Sequence, residues 1–213
     1  MKKAIFLFAS VAALATACNN APEGDAATTA DAQAAAAGSG ASYSIDTTAS
    51  VVEWVGTKPV GQHNGTLKIA NGEFSIADGS ITAGKFTIDI NSLTDLDMEG
   101  EMKGKLEGHL KSADFFDAAK YPTASFVITA VEPVNGDSAA THKISGNLTL
   151  KDSTKNVSFP ARVTVADNTV KAIANFNIDR TQWGMYYGND QSLGDKFIRP
   201  EVNIKLNINA NKL

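Results

Sequence analysis

From Tyr43 to Asn209 apolar and polar residues alternate with a period of two, and this pattern constrains the fold more than any other feature of the chain. Near the C-terminus Val202, Ile204, Leu206 and Ile208 alternate with Glu201, Asn203, Lys205, Asn207 and Asn209, and earlier Phe86, Ile88 and Ile90 alternate with Lys85, Thr87 and Asp89. A strand points successive side chains to opposite faces, so each of these segments has one apolar and one wet face. The pattern predicts strands over 43–46, 50–58, 66–70, 72–77 and 80–90, then over 123–132, 142–151, 156–166, 169–178 and 201–209. Ala77-Asp78-Gly79 and Val165-Ala166-Asp167-Asn168 read as tight hairpin loops within a meander of antiparallel neighbours. The expected fold class is therefore all-β, an antiparallel barrel of about eight strands. A two-sheet sandwich satisfies the same alternation. A membrane barrel does not, because Glu201, Lys205 and Asn207 would face lipid if the apolar face turned inward.

Between Leu96 and Lys111 the period changes. Met98, Met102, Leu106 and Leu110 recur every fourth residue, and Glu99/Lys103, Glu101/Lys105 and Glu107/Lys111 place Glu four residues before Lys. One inserted amphipathic helix is expected here. It hands over to a strand through His109-Leu110-Lys111-Ser112-Ala113-Asp114-Phe115-Phe116-Asp117 and Tyr121-Pro122. Adjacent phenylalanines at such a junction either plug the end of a core or close one end of an apolar ligand chamber.

The N-terminus carries different information. Lys2 and Lys3 precede fourteen uncharged, mostly apolar residues over 4–17, and then Cys18, the only cysteine. A basic start, a short apolar run and small residues before the cut describe a secretory signal over 1–17, too short to span a bilayer. Leu14-Ala15-Thr16-Ala17-Cys18 resembles a bacterial lipoprotein precursor, with Leu one position further from the cysteine than usual. That resemblance implies a lipidated Cys18, an exported protein of the periplasm or outer-membrane-attached envelope, and a membrane partner through the anchor. Residues 18–42 are Ala-rich with no aromatic and no basic side chain, and are expected to form a flexible tether. The remaining domain, 43–213, is one domain long and has no disulfide to staple it.

Removing Lys2 and Lys3 leaves 17 basic and 23 acidic side chains, a net charge of −6, with no basic cluster. No nucleic acid partner is expected. The three histidines, His63, His109 and His142, lack the close pairing of a zinc site, so no metal is expected. No cysteine nucleophile, phosphate-cradling glycine loop or Gly-x-Ser-x-Gly elbow is present in the domain, and the reading is non-enzymatic with no cofactor.

Tyr43-Ser44-Ile45-Asp46, Ser50-x-Val52-x-Trp54, Phe86-Thr87-Ile88-Asp89-Ile90-Asn91-Ser92-Leu93, the His109 to Asp117 stretch with Tyr121-Pro122 and Phe126, Gly146-Asn147-Leu148-Thr149-Leu150 with Lys155, and Ile178-Asp179-Arg180-Thr181-x-Trp183-Gly184 arrive in one order over the whole domain. Together they resemble the YceI-like family of exported proteins. The resemblance implies an extended lipocalin-like barrel whose interior binds a polyisoprenoid or other long-chain lipid, as carrier or sequestering protein, and it makes a homodimer plausible. On this reading the ligand is an isoprenoid-type lipid or quinone. Combined with strand parity, the expected lumen is Val52 and Trp54, Phe86 and Ile88, Phe115 and Phe116, Phe126 and Ile128, Leu148, Phe159, Phe176, Val202 and Ile204. The family often has histidine where this chain has Lys58. Lys58 and His63 are the candidates for a polar rim, or else ordinary loop side chains, and Arg180 joins the rim or closes the barrel end beside Trp183. The alternative reading is a structural or interaction module whose barrel is filled by its own side chains.

Overall fold

The computed structural model describes residues 22–213 apart from Asn135, Asp137 and Ser138. The signal segment and Cys18 lie outside the described residues. Among the described residues eleven strands and one α-helix follow in chain order: β1 (Asp25–Ala26), β2 (Thr28–Asp31), β3 (Ala41–Ile45), β4 (Val51–Lys58), β5 (Gly61–Ala77), β6 (Ser80–Asp95), α1 (Gly100–Lys111), β7 (Thr123–Pro133), β8 (His142–Leu150), β9 (Ser153–Val165), β10 (Thr169–Asp179) and β11 (Glu201–Lys212). Strands β4 to β11 pair with their neighbours in chain order, and β4 also pairs with β11. The sheet thus closes into an eight-stranded antiparallel barrel, which leaves no open edge of the kind a sandwich would have.

Two expected boundaries move. The strands expected over 66–70 and 72–77 are one 17-residue strand, β5, kept continuous by irregularities between Thr66/Lys68, Ile69/Asn71 and Ser75/Ile76. Each bulge lets the long strand bend with the barrel wall. The helix begins at Gly100, so Met98 lies in the link before it. None of the residues of α1 is fully buried, and Met102 is exposed. Its expected methionine face therefore does not pack into a core.

Polar contacts fix the helix across the barrel end. The Glu107 Oε1 atom accepts from the Asp95 N–H and the Thr94 hydroxyl, both at 2.9 Å. Asp95 ends β6 and is fully buried; its Oδ1 accepts from the N–H groups of Asp97 (3.2 Å) and Met98 (2.7 Å). Its Oδ2 has no hydrogen-bond partner among the described residues. Burial therefore raises the Asp95 carboxyl above its ordinary value, while the Asp95 N–H helps hold Glu107 below its own.

The larger departure is the N-terminal segment. Residues 22–42, expected to be a flexible tether, form a strap on the outer wall. Strands β9 and β10 pair only over 161–165 and 170–174 and then separate toward the end of the barrel that carries α1. The strap fills that gap: β1 runs parallel to Phe176 and Asn177 of β10, and β2 runs antiparallel to residues 155–158 of β9. It then crosses β8, where Gln33 and the Asn147 side chain exchange bonds of 3.0 and 2.7 Å, β7, where the Ala36 N–H meets the Ile128 carbonyl at 2.9 Å, and β6, where Ser39 bonds Thr82. Its start is clamped by Asn203, only 1% exposed, which donates to the Glu23 carbonyl and to the Asn177 side chain. Asn177 in turn donates to the Pro22 carbonyl at 2.9 Å. Gly24, at φ +144, lies so close that a Cβ there would stand 2.5 Å from the Asn203 amide nitrogen. A composition with little apolar surface is held here by backbone pairing to a wall that offers unpaired groups.

Two outcomes follow for stability. Asn203→Ala removes the clamp, at a cost of about 1–3 kcal/mol for the groups left unpaired, a fall of about 3–10 °C in Tm for a domain of this size. Amide exchange at Ala27 and Ala36, slow in the parent, becomes fast. A strap that exchanges freely in the parent protein would refute the clamp. For Asp95, a raised carboxyl means that the folded state holds the proton more tightly, so stability falls as pH rises from 3.8 to the folded value. Asp95→Asn keeps an acceptor for Met98 and removes this slope in urea melts between pH 4 and 7. Asp95→Ala loses both acceptor bonds and is destabilised by about 1–3 kcal/mol.

Candidate functional site

Four phenylalanine rings cross the barrel in a row. Phe86 stacks on Phe126 with centroids 5.3 Å apart, Phe126 meets Phe159 at 5.8 Å, and Phe159 lies flat on Phe176 at 3.9 Å with planes 6° apart. Gly146 permits the arrangement, because a Cβ at that position would stand 2.2 Å from the Phe126 ring. The row divides the interior. On one side Phe74, Ile81, Ile128, Ile144, Val163 and Ile208 are all buried and fill the space. On the other side lies an apolar chamber of about 420 Å³, within the usual range for a small-molecule site.

Strand β11 shows the division along one face. Ile208 and Ala210 are 2% and 1% exposed, whereas Val202, Ile204 and Leu206 are half-buried because they border the chamber. Of the residues expected in the lumen, Val52, Trp54, Phe86, Ile88, Phe115, Phe116, Phe126, Leu148, Phe159, Phe176, Val202 and Ile204 line the chamber. Ile128 does not; it points inward as its parity requires, but sits beyond the phenylalanine row in the filled half.

Helix α1 and the loop 184–198 form the open end. Leu106 and Leu110 of α1 border the chamber, as do Met185, Tyr187 and Ile198 of the loop. The His109 ring stands edge-on to Phe115 at 5.2 Å and to Tyr187 at 4.6 Å, and its Nε2 lies 2.9 Å from Asp114 Oδ2. The aromatic hand-over after the helix is thus part of the chamber's closure. The loop's contribution was not foreseen, since Met185, Tyr187 and Ile198 show no alternation. Only Trp183 and the Arg-containing turn signalled that this segment packs against the barrel.

Lys58 and His63 stand at the mouth, joined there by Asp195 and Lys196. His63 Nδ1 is 2.9 Å from Asp97 Oδ2, and Asp97 Oδ1 accepts from the Asn64 N–H at 2.7 Å. Burial works to raise the Asp97 carboxyl, but these bonds outweigh it and hold the group below its ordinary value. Arg180 is different from a rim residue. It borders the chamber but is only 3% exposed, and its guanidinium donates to the carbonyls of Met185, Tyr187, Ile198 and Arg199. With those donors committed to backbone, Arg180 ties the loop to the barrel and leans over Phe115 rather than Trp183. Trp183 is buried separately, its indole N–H on the Leu148 carbonyl at 3.0 Å.

Among the described residues, His63, Asp95 and Asp97 have donor atoms within 4.8 Å of one another, at the mouth. The charged side chains that border the chamber, Lys58, Arg180, Asp195 and Lys196, come from β4 and the segment 180–196, and the two histidines, His63 and His109, come from β5 and α1, all at its open end. The interior beyond them is hydrocarbon and aromatic. Such a space is suited to excluding water and burying an apolar molecule.

Comparison with known proteins agrees with the geometry. Residues 43–210 match the YceI-like domain. Protein YceI of Escherichia coli O157:H7 is 37% identical over 99 residues, 46% of this chain and 48% of that protein. A UPF0312 protein of Pseudomonas putida strain KT2440 is 36% identical over 98 residues, 46% of this chain and 47% of that protein. The chain thus spans about half the length of the curated relatives it matches. Among solved structures, BcnA of Burkholderia cenocepacia superposes with a TM-score of 0.63 at 23% identity, covering 78% of this chain and 98% of that one. A polyisoprenoid binding domain from Saccharophagus degradans, implicated in plant cell wall breakdown, gives 0.57 at 17% identity, covering 80% and 98%. At these identities the likeness is one of fold. With the domain match running from β3 to the end of β11, the chain belongs to the YceI-like family.

Proposed function

We propose that this protein binds an isoprenoid-type lipid or quinone in the open half of its barrel, as a non-catalytic carrier or sequestering protein of the cell envelope. The single observation that carries the reading is the chamber of about 420 Å³, lined by apolar side chains and closed below by the phenylalanine row. Burial is favourable by about 0.8 kcal/mol per methylene-sized group, so ten groups contribute about 8 kcal/mol before ordering costs. That is enough for specific retention without any polar anchor. The polyisoprenoid-binding description of the Saccharophagus degradans neighbour supports the same ligand class. Export and lipidation at Cys18 complete the proposal and put the protein at a membrane in the periplasm or outer-membrane-attached envelope. The chemistry needs no cofactor or metal, since the ligand is held and not transformed.

The filled half of the barrel makes a clean test possible, because the fold can be kept while the chamber is removed. Val202→Trp puts an indole into the open half, away from the packed residues. Native mass spectrometry of the parent protein, purified gently from membranes, is expected to show an extractable apolar ligand. The variant melts within a few degrees of the parent and loses binding of a labelled isoprenoid at least about tenfold. A parent protein that carries no lipid and takes up no labelled isoprenoid defeats the reading and favours an interaction module.

A further inference from the structure

The open end of the barrel also carries most of the exposed large apolar side chains. Val60, Leu96, Met102, Tyr186, Tyr187 and Leu193 are 69%, 61%, 57%, 61%, 48% and 45% exposed. They come from four separate segments: the turn between β4 and β5, the link from β6 to α1, the first turn of α1, and the loop 184–198. Each segment also borders the chamber or bonds directly to one that does: Lys58 and His63 flank the turn, Leu106 lies one turn along α1, and Tyr187 and Lys196 lie in the loop. The Leu96 N–H is bonded to the Asn64 carbonyl beside His63. Single exposed apolar side chains need no explanation, but six of them gathered at one end, around a chamber mouth, do. Two tyrosines within it match the amphipathic chemistry of a membrane interface.

A second observation says what covers the ring. The strap begins at Pro22 to Gly24, clamped on Asn177 and Asn203, whose chain neighbours Ile178, Val202 and Ile204 border the chamber. The chain therefore meets the barrel wall beside the phenylalanine row, nearer the open end than the filled end. Three residues lie between Cys18 and Pro22, a reach of at most about 14 Å over four fully extended steps. An acyl group at Cys18 would hold this end, and not the filled end, against the bilayer. Charge near the mouth is mixed, with Lys58, Lys103 and Lys196 beside Asp97, Asp190 and Asp195, so attraction to anionic lipid is not the driving term.

We propose that the rim formed by Val60, Leu96, Met102, Tyr186, Tyr187 and Leu193 is a docking surface for a phospholipid bilayer. The rim inserts at the boundary of head groups and acyl chains, with the chamber mouth facing the lipid. Docking stands on the rim and the entry point of the strap; its use as a route for ligand rests on the lipid-binding reading. A ligand then passes between bilayer and chamber without crossing water.

The only cysteine in the sequence is Cys18, which makes single-site labelling practical. Val60→Cys, Tyr186→Cys and Leu193→Cys report the rim, and Ile173→Cys and Leu213→Cys report wall and terminus away from the mouth. Each full-length variant, labelled with a polarity-sensitive dye and reconstituted into phosphatidylethanolamine/phosphatidylglycerol vesicles, is measured with a bilayer-embedded quencher, the unsubstituted protein serving as the label blank. Rim dyes are expected to shift to shorter wavelength and to be quenched at least about twofold more than the dyes at 173 and 213, with little change between low and high salt. In Val60→Cys carrying Tyr186→Ser and Leu193→Ser, quenching falls to the level of the distant sites while the melting temperature is kept. Equal, water-like signals at all five sites overturn the proposal. So do rim dyes already shielded without vesicles in a protein that sediments as a dimer, which assigns the rim to a second copy of the chain. Uptake of a fluorescent isoprenoid, measured in parallel, separates the two readings: rim contact without uptake leaves docking standing and defeats the carrier, and uptake without rim contact does the reverse.

Discussion

The row of rings from Phe86 through Phe126 and Phe159 to Phe176 is the contact on which the rest of the structure depends. An eight-stranded barrel sits near the size at which side chains can fill the interior or leave room for one ligand. Here one barrel does both, because two stacked pairs of rings, joined by the tilted Phe126–Phe159 contact, span its width and separate the two regimes. Below the row, large aliphatic side chains interdigitate to a dry core, and this half carries the stability that a domain without disulfides must find in packing. Above it, the inward faces line the chamber: Val52, Ile88 and Ile178 are still buried by their neighbours, while Val202, Ile204 and Leu206 of β11 are only half-buried. Stability and emptiness are thus assigned to different halves of one closed sheet.

Closure has its own cost, borne at one seam. Strands β9 and β10 separate beyond residues 161 and 174, where Phe159 and Phe176 stack between them. A gap in a barrel wall exposes unpaired N–H and C=O groups, which must find partners in water or in another segment. The strap supplies them through β1 and β2, and Asn203 fixes where it begins. Small alanines suit the task, since they let backbone approach backbone closely and bring little side-chain entropy to lose. The N-terminal segment is therefore part of the wall and sets where the chain leaves it.

Period-two alternation made most of this legible in the sequence, and its limits explain what was missed. Parity fixes which face a residue occupies, so Val52, Phe86, Phe126, Phe159, Phe176 and Val202 were placed inward correctly. Parity carries no information about depth, so it puts Ile128 in the lumen with Phe126, although Ile128 lies beyond the phenylalanine row in the filled half. The strap was illegible for a related reason. Its binding rests on backbone groups and on outward asparagines, and a buried Asn203 reads in sequence like its exposed neighbours Lys205 and Asn207. Arg180 reads in sequence as a rim charge or as a residue that closes the barrel end beside Trp183; only the folded loop supplies the four carbonyls that take up its donors.

The helix shows how such a chamber can be both closed and accessible. Helix α1 buries none of its residues fully, and its firm attachments are polar: Glu107 on Thr94 and Asp95, and the Asp95 carboxylate on the link that precedes it. Its apolar side chains Leu106 and Leu110 border the chamber, and Leu110 packs against the core only in part. An element with few buried apolar contacts opens at a fraction of the cost of unfolding the domain. Binding of an apolar molecule would complete the burial of those leucines and of Phe116, which are half-buried without it. Occupancy and closure of the mouth are then linked by the same contacts, so that a ligand stabilises the lid over itself to the extent that it fills the space beneath.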